Sequence, residues 1–126
     1  MIRRVLAAVD DSAPALAAAD FAIEVAGQVG AELRFVTAPD GRGDPEPILQ
    51  YVGTLAGRAG VAAETAVVTA PHDPYEALLR AAVDWGADLV VMGRSDRRAS
   101  GRPYVGSQTE HLLEFSPIPV VVVPEP

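Results

Sequence analysis

The sequence predicts an open, doubly wound α/β fold, a parallel five-stranded sheet with helices on both faces. Three observations predict it. Apolar runs of strand length alternate with longer amphipathic stretches along the chain. The connections between those runs can each hold a crossover helix, which parallel strands require. And 126 residues, 49% hydrophobic and 21% charged, suffice for one core, so residues 1–126 are expected to form a single domain.

The first strand is expected over residues 2–9, where Val5-Leu6-Ala7-Ala8-Val9 stops at Asp10-Asp11. A first helix follows over residues 13–29, capped by Asp11 or Ser12 and closed by Gly30. Its apolar stripe is expected on Phe21, Val25 and the alanines around them. The second strand takes residues 32–38, and a Pro/Gly-rich loop over 39–45 leads to a second helix at 46–58. Residues 62–69 form the third strand. The third helix starts at Asp73-Pro74, a cap followed by proline in the first turn, and ends near Gly86, with Trp85 packing on the core or its edge. The fourth strand spans 88–92, a short helix 106–114, and the last strand 118–123. Near-continuous apolar runs are what strands covered on both faces look like. Four consecutive valines at 120–123 suit such burial, and Pro117, Pro119 and Pro124 limit uncontrolled pairing of that strand.

Composition removes several kinds of chemistry. There is no cysteine, hence no disulfide framework, thiolate nucleophile or cysteine zinc site. All ten basic residues are arginine, so Schiff-base chemistry and a lysine-bearing phosphate loop are excluded. No apolar run approaches the ~20 residues of a membrane span, and Asp10-Asp11 cut the N-terminal run too short for a signal sequence. No membrane association is expected, and a cytoplasmic location is. The net charge of −7 disfavours nucleic-acid binding. Within it, Arg94, Arg97, Arg98 and Arg102 against Asp96 give residues 94–102 a local +3.

That basic segment lies in the longest connection after the fourth strand. Residues 93–105 run from Gly93 into a helix start at Gly106-Ser107. Ligands of this architecture bind beyond the carboxyl ends of the strands, and main-chain N–H groups at a helix start attract anions. The position therefore suits a phosphate. A solvated surface loop with glycines at its turns is the competing reading of the same residues. His111 follows Ser107 by four positions, but a Ser-His hydrolase also needs an orienting third group and an oxyanion hole. No catalytic residue and no metal site is assigned.

The loop and its flanks resemble the universal stress protein family along nearly the whole chain. Its ATP-binding members carry Gly, two residues, Gly, nine residues, then Gly-Ser or Gly-Thr; here Gly93 opens and Gly106-Ser107 closes that spacing. Val5-Leu6-Ala7-Ala8-Val9-Asp10-Asp11-Ser12 resembles the family's first strand and its tip. His72-Asp73-Pro74-Tyr75-Glu76-Ala77 resembles the start of its third helix, and Val105-Gly106-Ser107-Gln108-Thr109-Glu110 and Pro117-Ile118-Pro119-Val120-Val121-Val122-Val123 its C-terminal part.

The resemblance implies a Rossmann-like fold of the adenine nucleotide alpha hydrolase type and a role in the stress response. It implies ATP or AMP as ligand, with Mg accompanying ATP. Val9 and Asp10 would meet the ribose or adenine, with a helix cap as the competing role of Asp10. Ala38 would flank the base, Met92 before the motif would belong to the cofactor site, and Gly93, Arg94, Gly106, Ser107 and the Gln108 backbone would hold phosphate. It further implies a homodimer joined through Val120–Val123, and a binding module, not an enzyme. The His-x-Gly-His and Ser-Gly-Gly motifs of related adenine-binding enzymes are absent from the sequence. One position departs: the second glycine is Asp96, whose charge and Cβ are expected to impair the phosphate loop. A nucleotide-free, dimerising protein with its site disabled by Asp96 is the alternative.

Overall fold

The computed structural model describes residues 1–10, 12–38, 44–69, 74–94, 110 and 113–125. The elements are β1 (Arg4–Ala8), α1 (Ala13–Val29), β2 (Glu32–Thr37), α2 (Glu46–Arg58), β3 (Ala63–Val67), α3 (Pro74–Trp85), β4 (Leu89–Gly93) and β5 (Val120–Val123). Glu110 and residues 113–115 are helical; the expected start of that helix at Gly106 lies outside the described residues.

All strand pairs are parallel, and the sheet order is β3-β2-β1-β4-β5. The chain builds outward from β1 through β2 to β3, then crosses back to place β4 on the other side of β1. Strand order therefore reverses between β1 and β4. Side chains of β1 alternate between two layers. Val5 and Ala7 join Leu33, Phe35 and Val91 beneath α1 and α2, while Leu6 joins Val36, Val90 and Met92 beneath Leu78 and Ala82 of α3.

Local chemistry sets the boundaries. Ser12, not Asp11, caps α1: its backbone is extended (φ −77°, ψ 154°) and its Oγ accepts the Ala15 N–H at 3.3 Å. Gly30 ends the helix in the left-handed region at φ 71°, its N–H donating to the Ala26 carbonyl. The stripe of α1 differs from expectation. Ala15, Ala18, Ala19, Ala22, Ile23 and Ala26 are buried, while Phe21 is 37% exposed and Val25 packs only at the margin. A face of methyl groups lets the helix lie close to the sheet, and a phenyl ring there would hold it away.

The ladders of β1, β2, β3 and β5 are shorter than the apolar runs that predicted them, and β4 is shifted by one residue. Ile2 and Ile118 still pack on the core but lie outside the pairing. Pro119 contributes only its carbonyl, to the Val90 N–H at 2.9 Å. The valines of β5 are half-buried, not buried on both faces, because among the described strands this one pairs with β4 alone.

The amino ends of the strands are tied by charge. Asp88 Oδ2 accepts the main-chain N–H groups of Arg3 and Arg4 at 2.8 and 3.0 Å. Arg4 also reaches Glu32 at 3.0 Å, and Arg34 reaches Glu64 at 2.6 Å. The guanidinium of Arg34 lies 4.5 Å from the centre of the Trp85 ring, so Trp85 closes the margin of the core beneath a cation.

Candidate functional site

At the opposite, carboxyl edge of the sheet the two directions of chain travel diverge and leave a crevice, as such a switch point must. A cavity of about 120 Å³ occupies it. Its lining comes from three adjacent strand ends: Val9 and Asp10 after β1, Thr37 and Ala38 at β2, and Met92, Gly93 and Arg94 at β4. The first turn of α1 contributes Ser12, Pro14 and Ala15, and α3 contributes Leu78. At 120 Å³ the described walls enclose less than the ~300 Å³ at the small end of ligand pockets, room for one ring-sized part of a ligand.

Main-chain bonds hold these walls. The Val9 N–H donates to the Val36 carbonyl at 2.9 Å, carrying β1 one residue past its ladder to deliver Asp10. Asp10 Oδ1 accepts the Ser12 N–H at 2.8 Å. One carboxylate oxygen thus shapes the turn into α1, and among the described residues none donates to the other. Asp10 lines the cavity and bonds the N-cap residue, while the cap itself is Ser12. At the end of β4, the Arg94 N–H donates to the Val123 carbonyl at 2.8 Å, anchoring a residue that lines the cavity.

Gly93 is explained by contact. A Cβ placed on it would meet the main-chain carbonyl of Pro14 and lie 2.8 Å from the Ala15 nitrogen. The end of β4 therefore rests directly against the first turn of α1, which only glycine permits. The spacing motif assigned this glycine to phosphate; the geometry gives it a packing role that the motif did not reveal.

Six of the residues singled out in the sequence, Val9, Asp10, Ala38, Met92, Gly93 and Arg94, meet around this one cavity. Gly106, Ser107 and Gln108 lie outside the described residues, as do Asp96, Arg97, Arg98, Arg102, His72 and His111. Thr37, Pro14 and Leu78 were not anticipated. Among the described residues, no three His, Asp or Glu side chains stand together as metal ligands, and no helix is long and apolar enough to cross a membrane.

Comparison with known proteins places this geometry among relatives. The family model for the "Universal stress protein family" matches residues 1–124. A Thermus aquaticus protein, "Universal stress protein in QAH/OAS sulfhydrylase 3′region", is 33% identical over 137 residues, spanning 98% of this chain and 99% of that one. Among solved structures, a universal stress protein in complex with cAMP is 28% identical with a TM-score of 0.83, over 99% of this chain and 98% of the other. The universal stress protein from Archaeoglobus fulgidus in complex with dAMP shares the fold at 22% identity and a TM-score of 0.75, over 98% and 99% of the two chains.

Proposed function

This chain belongs to the universal stress protein family, and from that premise we propose that it is a binding module for an adenine nucleotide in the stress response. The observation that carries the reading is the cavity at the reversal between β1 and β4, lined by Asp10 and Arg94 from the ends of these two neighbouring strands together with apolar residues. Such a crevice suits a ligand with an apolar ring, hydroxyls and an anionic end. Asp10 would accept from a sugar hydroxyl, and Arg94 would meet phosphate. The cAMP complex of the 28% identical relative supports the ligand class. AMP and ATP are the nucleotides proposed here, Mg accompanying the latter.

Asp96 makes the phosphate count matter. It stands where the family motif has glycine, and a carboxylate within ~4 Å of a phosphate charge costs about 4 kcal/mol at an effective dielectric of 20. The penalty grows with each phosphate charge that approaches it, so AMP binds better than ATP. The sequence has no lysine to hold a transferring phosphate, and any hydrolysis is incidental. The same aspartate favours a second reading, a nucleotide-free scaffold that dimerises through β5.

Calorimetric titration with ATP, AMP and cyclic AMP, with and without Mg, separates the two. The first reading expects AMP to bind more tightly than ATP, and Asp96→Gly to strengthen ATP binding by at least tenfold. Absence of heat with every nucleotide leaves the scaffold, and an unchanged ATP affinity in the variant removes Asp96 as the obstacle.

A further inference from the structure

Thr37 is the one buried polar side chain among the described residues, 6% exposed, and it lines the cavity. No described residue hydrogen-bonds its hydroxyl. Its backbone is accounted for separately: the Thr37 carbonyl accepts the Val68 N–H at 2.9 Å. A hydroxyl held at the end of a strand, in a core otherwise lined by hydrocarbon, costs stability unless something bonds it.

Its place on the sheet says which part of a ligand it meets. Thr37 ends β2 while Gly93 and Arg94 end β4, and β1 lies between them. Adjacent strands are about 4.8 Å apart, so Thr37 stands roughly 10 Å across the crevice from the anion-attracting side. That is the span of a nucleoside. Beside Thr37 the walls are apolar, from Val36, Ala38 and Leu78, which suits the faces of a flat ring.

We propose that Thr37 is a specificity-determining residue whose Oγ1 hydrogen-bonds the edge of the ligand's heteroaromatic base. The inference rests on the adenine-nucleotide reading and deepens it by assigning a reader for the base. A site that binds a polar edge through a buried hydroxyl rejects ligands lacking that edge, since the hydroxyl is otherwise left unpaired. Thr37 thus separates nucleotides from sugar phosphates that carry the same anionic end.

The test uses the full chain with Thr37→Val, which keeps the shape and removes the hydroxyl, and Thr37→Ser, which keeps the hydroxyl. AMP affinity is measured by calorimetry, ribose 5-phosphate by competition, and thermal midpoints are recorded without ligand. Thr37→Val is expected to weaken AMP about tenfold, to leave ribose 5-phosphate unchanged, and to keep or raise the thermal midpoint. Thr37→Ser is expected to restore most of the AMP affinity. Equal losses for AMP and ribose 5-phosphate, or a lowered midpoint in Thr37→Val, would overturn the assignment. If the wild-type protein binds AMP and Thr37→Val binds it equally well, the role of Thr37 fails alone; if the wild-type protein binds no AMP, the nucleotide reading fails with it.

Discussion

Gly93 shows how one position can satisfy a motif and a packing demand together. In the sequence it opens a spacing associated with phosphate, and nothing in the sequence says that α1 will lie against it. In the fold its missing Cβ is the space occupied by the Pro14 carbonyl. Gly93→Ala is therefore expected to lower stability by about 1–3 kcal/mol, the ordinary cost of forcing an extra carbon into a filled interior. Gly53 in α2, where an added Cβ meets nothing within 4 Å, is the control. Alanine there is expected to stabilise by about 0.5–1 kcal/mol. Urea denaturation measures both, and equal stability of Gly93→Ala and wild type would contradict the contact. Asp10 was legible because it follows a buried run; Thr37 was not, because its importance comes from which neighbours leave its hydroxyl unbonded.

Between elements, β1 and β4 are joined at both ends by different means. At the carboxyl end the two strands border the cavity. At the amino end Asp88, just before β4, accepts two N–H groups at the start of β1, and these bonds hold its carboxyl below the ordinary aspartate pKa. A group whose folded pKa is depressed stabilises the fold above its unfolded value of about 4, and that contribution is lost as pH falls through the lower folded value. Asp88→Asn keeps an acceptor oxygen but no longer titrates. Its stability is expected to fall less than that of wild type between about pH 5 and about pH 2, as followed by urea midpoints; parallel curves would contradict the link. The bounds of α1 were legible from Ser12 and Gly30, since a cap and a left-handed glycine are local chemistry, whereas α2 has no side-chain cap and ends on Ala59. The buried face of α1 was not legible. Phe21 is large and apolar, yet the face that approaches the sheet is made of alanines and Ile23.

For the molecule as a whole, the parallel five-stranded sheet follows from alternation of runs, and the crevice follows from the sheet order. That order, β3-β2-β1-β4-β5, depends on contacts between strands far apart in sequence, which residue patterns do not give. The edge of β5 carries the proposal of a homodimer. Its four half-buried valines pair with β4 on one side only among the described strands, which leaves main-chain groups to add a strand from a second copy. Sedimentation at micromolar concentration is expected to give twice the 13.2 kDa chain mass, and a value at 13.2 kDa would refute the dimer. Where the nucleotide sits is decided by amide-resolved NMR of the full chain titrated with AMP. Saturable shifts should appear at Val9, Asp10, Ala38, Gly93 and Arg94 while the amides around Asp88, at the opposite edge, stay still. Shifts clustered around Asp88 and Trp85, or no shift at the β1 and β4 ends at saturating AMP, would contradict binding in the crevice.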